Sequence, residues 1–287
     1  MQVAVADFVA KELGRKPSRV VKLDAFPGNV VYDVDAGGQG FIIKASTDHD
    51  AMRAEAWACA RGAAVGCAAP EVLRFGRLGT SMSAVIVSRV TGQPVTAEHP
   101  ALIDVGAHVR RLHGVTLPGF GFLAQASWDD AGDFSLRHPS WPGFLRAVCD
   151  DTRALAEGFA AEVADAAASA IEDHADALAA VQGVLCHGDL KAAHILVDAG
   201  RLAGVIDWGD AVVADPWWDI ARFAHRSPEA SLPLLLRGYR PTDDEWRLPL
   251  YEALWMLVDA CIAHGHGHRV DATLRGAMNY LRRSPTS

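Results

Sequence analysis

The sequence predicts an α+β chain of two lobes, a small antiparallel β lobe followed by a larger, mainly helical one. Three observations carry the prediction. β-branched runs separated by Gly-containing turns crowd the first 90 residues, and Ala-rich helical segments dominate after residue 95. Two short apolar runs, "HILVD" and "LAGVIDW", then interrupt the helices near residue 200. Half of the 287 residues are hydrophobic, enough for a sizeable core.

The elements follow in order. Residues 3–13 carry the pattern of an amphipathic helix. "RVVKLDAF", "NVVYDVDA" and "QGFIIKAS" read as a three-stranded meander broken by "PGN" and "AGG" turns. "DHDAMRAEAWACARGAA" is helical in composition and starts at a capping aspartate. "EVLRFGRLG" and "SAVIVSRV" add two strands, and "TGQPV" breaks the pattern. Residues 1–92 therefore form the first lobe and 93–287 the second, joined near Ser88 to Pro94. "ALIDVGAHVRRLHGV" is helical, "LPGFGFLAQASWDDAGDF" is a Gly- and Asp-rich loop, and residues 141–182 are mostly helical. The two apolar runs make a hairpin, and residues 217–283 return to helix.

Composition narrows the function classes. A net charge of −8 disfavours nucleic-acid binding, which needs a basic face, and is compatible with a cationic substrate. Cys59, Cys67, Cys149, Cys186 and Cys261 are scattered with no C-x-x-C, as in reduced thiols of a cytoplasmic protein. The N-terminus lacks the apolar core of a signal peptide, and nothing approaches the ~18 consecutive apolar residues of a membrane span. A monomer or weak dimer is expected.

The chemistry concentrates in "HGDLKAAHILVDAGRLAGVIDWGDAVVADPWWDIARF". His187 and Asp189 fall on a loop, and Asp207 ends the second hairpin strand, 18 residues after Asp189. Two carboxylates thus meet at one end of a hairpin, one suited to a substrate proton and the other to a metal. An H-x-D, a polar residue five after the Asp, and a strand ending in Asp form the order of a protein-kinase-like site. The stretch closely resembles the aminoglycoside phosphotransferase family, with its H-G-D, its I-D-W or I-D-F and its D-P-x-x-D-L-A. The resemblance covers most of the chain and is weakest at the N-terminus and in the substrate-facing insertions. It implies a bilobal protein-kinase-like fold and transfer of the γ-phosphoryl of ATP or GTP to a small-molecule hydroxyl.

Roles follow from the resemblance. Asp189 orients the acceptor hydroxyl and takes its proton, and His187 braces the loop. Lys191 either neutralises charge on the transferred group or is a solvated loop lysine. Asp207 holds Mg²⁺, or Mn²⁺. His194 stands where the family has Asn; macrolide phosphotransferases resemble this sequence in having His there. It either meets the metal or hydrogen-bonds to Asp189 or the backbone. Upstream, Lys44 binds the α/β-phosphates and pairs with Glu55 on the next helix, Glu71 being the rival. Gly28 and Asn29, in "AFPGNVVYDV", stand where a phosphate-covering loop belongs, although no G-x-G-x-x-G or P-loop is present. "VIVSRVTGQP" resembles the hinge, with the base bonded to Ser88 C=O and Val90 N–H. Asp215 and Asp219 cap and brace the following helix, and Asp210 is an exposed acid.

Residues 119–180 hold eleven acidic against three basic side chains. In this family that region walls the acceptor site, which suits a cationic antibiotic. Asp129, Asp130 and Asp133 are the candidate contacts. A macrolide kinase, a tuberactinomycin-type peptide kinase and a metabolic kinase are alternatives within the same chemistry. A metal-dependent hydrolase would leave Lys44, Glu55 and the hinge without a role. Intact Lys44, Asp189 and Asp207 argue against an inactive binding module. "HGHGH" (His264, His266, His268) reads as a helix end, and Trp217, Trp218, Trp246 and Trp255 as packing.

Overall fold

The computed structural model describes residues 1–24, 28–155, 159–242 and 246–282. Helix α1 (Gln2–Leu13) precedes strands β1 (Pro17–Leu23), β2 (Asn29–Ala36) and β3 (Gln39–Ser46). Helix α2 (His49–Ala64), β4 (Val72–Leu78) and β5 (Met82–Ser88) complete the N-terminal part. The five strands form one antiparallel sheet in the order β1-β2-β3-β5-β4. Tyr32 and Val34 of β2 and Phe41, Ile43 and Ala45 of β3 pack with Val5, Phe8 and Val9 of α1. Strand alternation then turns Lys44 to the opposite face, toward α2. Asp48 caps α2, accepting from Ala51 N at 2.9 Å.

The chain crosses between lobes just after β5. Arg89 is pinned to β2 by ion pairs with Asp33 and Asp35, and Arg89 N–H donates to Gly40 O at 3.0 Å. Strand β6 (Gln93–Pro94) then joins the second lobe's hairpin.

In the second lobe, α3 (Ala101–Leu112) is followed by short strands β7 (Gly121–Phe122), β8 (Ser127–Trp128) and β9 (Phe134–Ser135). Helices α4 (Trp141–Arg153), α5 (Ala160–Asp173) and α6 (Ala175–Ala179) lead to β10 (Val184–Cys186), the hairpin β11 (Ile195–Asp198) and β12 (Arg201–Val205), and β13 (Val212–Ala214). Helices α7 (Pro216–Arg226), α8 (Leu232–Tyr239), α9 (Arg247–Gly265) and α10 (Asp271–Leu281) close the fold. Sheets β10-β13-β7 and β12-β11-β6 carry the loops of interest.

The core of this lobe is aromatic. Trp141, Trp218, Tyr251 and Trp255 are buried together, and the polar atoms of Trp141, Tyr251 and Trp255 find partners. Trp141 Nε1 donates to Tyr251 OH at 2.7 Å, which donates to Asp215 at 2.9 Å, and Trp255 Nε1 donates to Trp218 O at 2.8 Å. Trp217 is buried as well, and Trp246 stacks on His174. The tryptophans are packing residues, as expected.

Some expectations need correction. The Gly- and Asp-rich loop of residues 117–134 contains strand pairings, β7 with β13 and β8 with β9. Strands β6, β10 and β13 have two or three residues each, too few to show a period in sequence. Asp207 lies two residues beyond the end of β12 rather than on it. The reading of "RVVKLDAF" as strand to residue 26, and the start of "AFPGN", fall on residues 25–27, outside the described residues. The "HGHGH" run is a helix end, with His266 N–H donating to Ile262 and Ala263 carbonyls. All five cysteines are free, and burial pushes Cys59 and Cys149 up to about 12 and Cys67 to about 11, so these thiols stay protonated. Among the described residues no helix is long and apolar enough to cross a membrane.

Glu252 on α9 gives a pH test of the fold. It is 9% exposed, and burial alone raises its pKa from 4.5 to about 7. A carboxyl raised in the folded state is stable when neutral. Its contribution is fully present below pH ~4.5 and is lost as pH rises through about 7. Glu252→Gln is expected to match the wild type near pH 4 and to exceed it at pH 8 by on the order of 3 kcal/mol. Denaturant unfolding at both pH values checks this; equal stability at pH 8 would contradict it.

Candidate active site

The loop between β10 and β11 carries His187, Gly188 and Asp189, and its backbone is held from beneath. Asp219 on α7 is fully buried and accepts from His187 N at 2.7 Å and Gly188 N at 2.8 Å. His113 Nε2 lies 3.2 Å from the same carboxylate. Burial opposes ionisation of Asp219, but His113 and the backbone amides outweigh it and its pKa is lowered. Gly188 has φ +81°, and a Cβ there would stand 1.7 Å from Asp210 O, so no other residue fits between His187 and Asp189.

His187 spends both ring nitrogens on the backbone. Nε2 pairs with Ile206 O at 3.1 Å, and Nδ1 accepts from Asp189 N at 3.3 Å. It ties the Asp189 loop to the segment that carries Asp207. Asp215 caps α7 through Trp217 N at 2.8 Å and pairs with Arg247 at 3.0 Å. Asp215 thus caps α7, as the sequence suggested, whereas Asp219 lies within that helix and braces the His187 loop instead.

Asp207 follows β12 in a left-handed conformation, φ 65°, uncommon for a non-glycine residue. Trp208 behind it fills the space above Gly62 of α2, where a Cβ would meet the indole at 2.5 Å. This wedge docks the Asp207 segment against the first lobe.

A line of polar contacts results. Glu55 Oε2 lies 2.8 Å from Lys44 Nζ, which lies 3.1 Å from Asp207 Oδ1. Asp207 Oδ2 is 3.5 Å from His194 Nε2, and His194 Nδ1 is 3.0 Å from Asp189 O. Asp189 Oδ2 meets Lys191 Nζ at 2.6 Å. Burial disfavours the charge on Lys44, but Glu55 and then Asp207 overcome it and its pKa is raised. Burial likewise works against the charge on Asp207, which Lys44 holds below the usual range. Asp189 is pushed up by burial but brought down to about 2 by Arg222 first and Lys191 next. Glu71 takes no part in this line; its backbone pairs with Ser88.

The proton on His194 is assigned by its partners. A backbone carbonyl can only accept, so Nδ1 carries the hydrogen. Burial lowers the pKa of His194, which keeps Nε2 bare. A lone pair on Nε2 then faces a carboxylate oxygen of Asp207. Two acceptors facing each other across 3.5 Å are a donor pair for a cation. Donor atoms of Asp189, His194 and Asp207 all lie within 4.8 Å of one another.

Other predicted residues stand apart from this line. Gly28 has φ 93° and its carbonyl accepts from Ser46 Oγ at 3.2 Å; Asn29 opens β2. Ser88 ends β5, and Val90 packs against Gly204 of β12 in the crossing segment. In the β8–β9 turn, Asp129 Oδ1 accepts from Asp133 N at 2.9 Å, and Arg53 of α2 donates to Asp129 O at 2.8 Å. Trp57 packs edge-on against Trp128 and Phe134, so this turn and Asp130 within it dock on α2. Part of the acidity of residues 119–180 is spent between α4 and α5, in Arg146–Glu172 at 2.6 Å and Arg153–Asp165 at 2.7 Å, and within α4 in Arg153–Asp150.

Two residues were not read from sequence. Arg222 donates to Asp189 Oδ1 through Nε at 3.0 Å and Nη2 at 2.9 Å, and Asp259 pairs with Arg222 at 2.8 Å. The one available signal for Arg222 is its place three residues after Asp219 on the same helix.

Residues 28–254 match the model of the phosphotransferase enzyme family. The chain belongs to that family. A phosphotransferase curated as hygromycin-B 4-O-kinase, from Escherichia coli, is 22% identical over 200 residues, 66% of this chain and 57% of that protein. This phosphotransferase therefore aligns with little more than half the length of that curated relative. Among solved structures, a thermostable mutant of aminoglycoside phosphotransferase APH(4)-Ia, in complex with ADP and hygromycin B, superposes with a TM-score of 0.76 at 20% identity over 99% of both chains. A proposed fructosamine-3-kinase of Thermobifida fusca YX-ER1 gives 0.72 at 23% identity over 97% of this chain and 98% of that one. These neighbours share the bilobal kinase-like fold with this phosphotransferase.

Proposed function

We propose that the protein transfers the γ-phosphoryl group of ATP or GTP to a hydroxyl of a small, amine-bearing acceptor, an aminoglycoside or another cationic antibiotic. The observation that supports this most is the continuous line of polar contacts from Glu55 through Lys44, Asp207 and His194 to Asp189. A hydrolase needs no buried cation linking the first lobe to the metal end of such a site. A kinase does, because the nucleotide phosphates must be held between the lobes.

In this reading residues 1–92 hold the nucleotide and residues 93–287 hold the acceptor, with the hinge at 88–94. The base bonds Ser88 C=O and Val90 N–H, and Gly28 and Asn29 lie over the phosphates. Lys44, oriented by Glu55, neutralises the α/β-phosphates. Asp189 aligns the acceptor hydroxyl and takes its proton as the hydroxyl oxygen bonds to the γ-phosphorus and the bond from that phosphorus to the departing nucleoside diphosphate breaks. Lys191 moves from Asp189 to the transferred group, whose charge it offsets. Asp207 and His194 would hold the divalent ion. With a divalent ion held there, the site would gain positive charge to offset the negative charge of the nucleotide phosphates.

Acidic residues Asp129, Asp130 and Asp133 are proposed to meet acceptor amines. An overall charge of −8 favours a cationic acceptor. Hygromycin B bound to a neighbour of the same fold supports an aminoglycoside. The likeness to a proposed fructosamine-3-kinase supports a second reading, a metabolic kinase of amine-bearing sugars. Free thiols and a nucleotide co-substrate support a cytoplasmic protein.

Thermal melting tests the nucleotide and metal reading together. ATP or GTP should raise the melting temperature only with Mg²⁺ or Mn²⁺ present. His194→Asn should shift the preference from Mn²⁺ toward Mg²⁺, because it replaces a nitrogen donor by an oxygen. No stabilisation by either nucleotide complex would sink the kinase reading. An unchanged ion preference would remove His194 from the metal.

A further inference from the structure

Asp189 enters this structure with both oxygens partnered, and the two sets of partners differ in kind. Oδ1 receives Nε and Nη2 of Arg222 at 3.0 and 2.9 Å. The remaining guanidinium nitrogen, Nη1, donates to Asp259 Oδ1 at 2.8 Å. The guanidinium also lies over the Trp255 ring, 4.4 Å from its centroid. Every nitrogen of the fork is thus engaged, and the side chain is 8% exposed. Asp259 is itself fixed by His225 at 3.3 Å and Arg226 at 3.5 Å. Oδ2 instead meets one Lys191 ammonium at 2.6 Å, on a flexible stem from the same loop.

Each carboxylate oxygen offers two lone pairs: Arg222 fills both on Oδ1, while Lys191 fills one on Oδ2, so an acceptor hydroxyl finds room at Oδ2. To open Oδ1, Arg222 would have to give up Asp189, Asp259 and Trp255 together. Lys191 gives up at most one ion pair. We propose that Arg222 is a positioning residue for phosphoryl transfer: with Asp259 and Trp255 behind it, it keeps Oδ1 permanently occupied and so selects Oδ2 as the oxygen that receives the acceptor proton. This rests on the reading of Asp189 as the proton acceptor.

Such a clamp trades basicity for alignment. In a loose phosphoryl-transfer transition state the nucleophile needs orientation more than early deprotonation. Misplacement of an aligned group by about 1 Å can cost about 10²-fold in rate. Lysine in place of Arg222 supplies a point charge but cannot fork between Asp189 and Asp259.

Mg·ATP hydrolysis, with water standing in for the acceptor, tests this whatever the natural acceptor is. Arg222→Ala should lower kcat about 10²-fold with the KM for ATP unchanged. Arg222→Lys should recover little, whereas millimolar guanidinium ion should restore turnover to Arg222→Ala but not to Asp189→Asn. A merely structural arginine would show no such selective rescue. If Arg222→Ala folds poorly, Asp259→Asn loosens the clamp from behind and should also lower kcat at constant KM. Wild-type kcat in the Arg222 or Asp259 variants, with Asp189→Asn impaired, would overturn this inference and leave Asp189 as the proton acceptor. Wild-type turnover in Asp189→Asn would overturn both.

Discussion

Asp189→Asn is expected to lower phosphoryl transfer by about 10²–10⁴-fold while nucleotide binding persists. The change keeps the shape of the side chain and removes its charge and its ability to take a proton. In the wild type that charge is secure, since Arg222 and Lys191 hold the carboxyl down at about 2 against the opposing effect of burial. Protonation of Asp189 therefore imposes no loss of activity on descending from neutral pH until close to pH 2, and any earlier acid limb belongs to another group. The amide at position 189 also leaves Arg222 and Lys191 beside a neutral group, so some loss of stability accompanies the loss of rate. Comparing kcat with the nucleotide dissociation constant separates the two. Weakened nucleotide binding with intact turnover would contradict the assignment.

Asp207→Ala is expected to abolish divalent-dependent nucleotide binding and to lower turnover by about 10²–10³-fold or more. Its carboxylate does two jobs. Oδ1 pairs with Lys44 at 3.1 Å, and Oδ2 faces His194 across 3.5 Å. Without it, the lone pair of His194 faces no second donor and Lys44 keeps only Glu55. The melting temperature of the variant should no longer respond to Mg²⁺ added with nucleotide. A full response would show that the ion binds elsewhere.

The most legible parts of the sequence were those with a local cause. Strands β2 and β3 alternate in the usual period, and the Lys44–Glu55 contact follows from a strand running into a capped helix. "HGDL" and "VIDW" were legible because each chemical residue sits beside an apolar strand. What the sequence left hidden was long-range. Arg222 reaches Asp189 across 33 residues, and Asp259 reaches Arg222 from another helix 37 residues on, with no periodic signal joining them. Strands β6, β10 and β13 are too short for pattern and form because neighbours pair with them. Asp129 was read as an acceptor contact from its charge, but one of its oxygens is committed to Asp133 N–H within the turn. Charge in a sequence does not reveal which oxygen is already satisfied.

The most direct measurement is mass spectrometry of aminoglycosides, cationic peptide antibiotics, macrolides and amine-bearing sugars incubated with the protein, Mg²⁺ and ATP or GTP. The predicted result is a gain of one phosphate by an amine-bearing hydroxyl compound, lost in Asp189→Asn. A protein that binds the Mg·nucleotide yet phosphorylates none of these acceptors would contradict the proposed acceptor class.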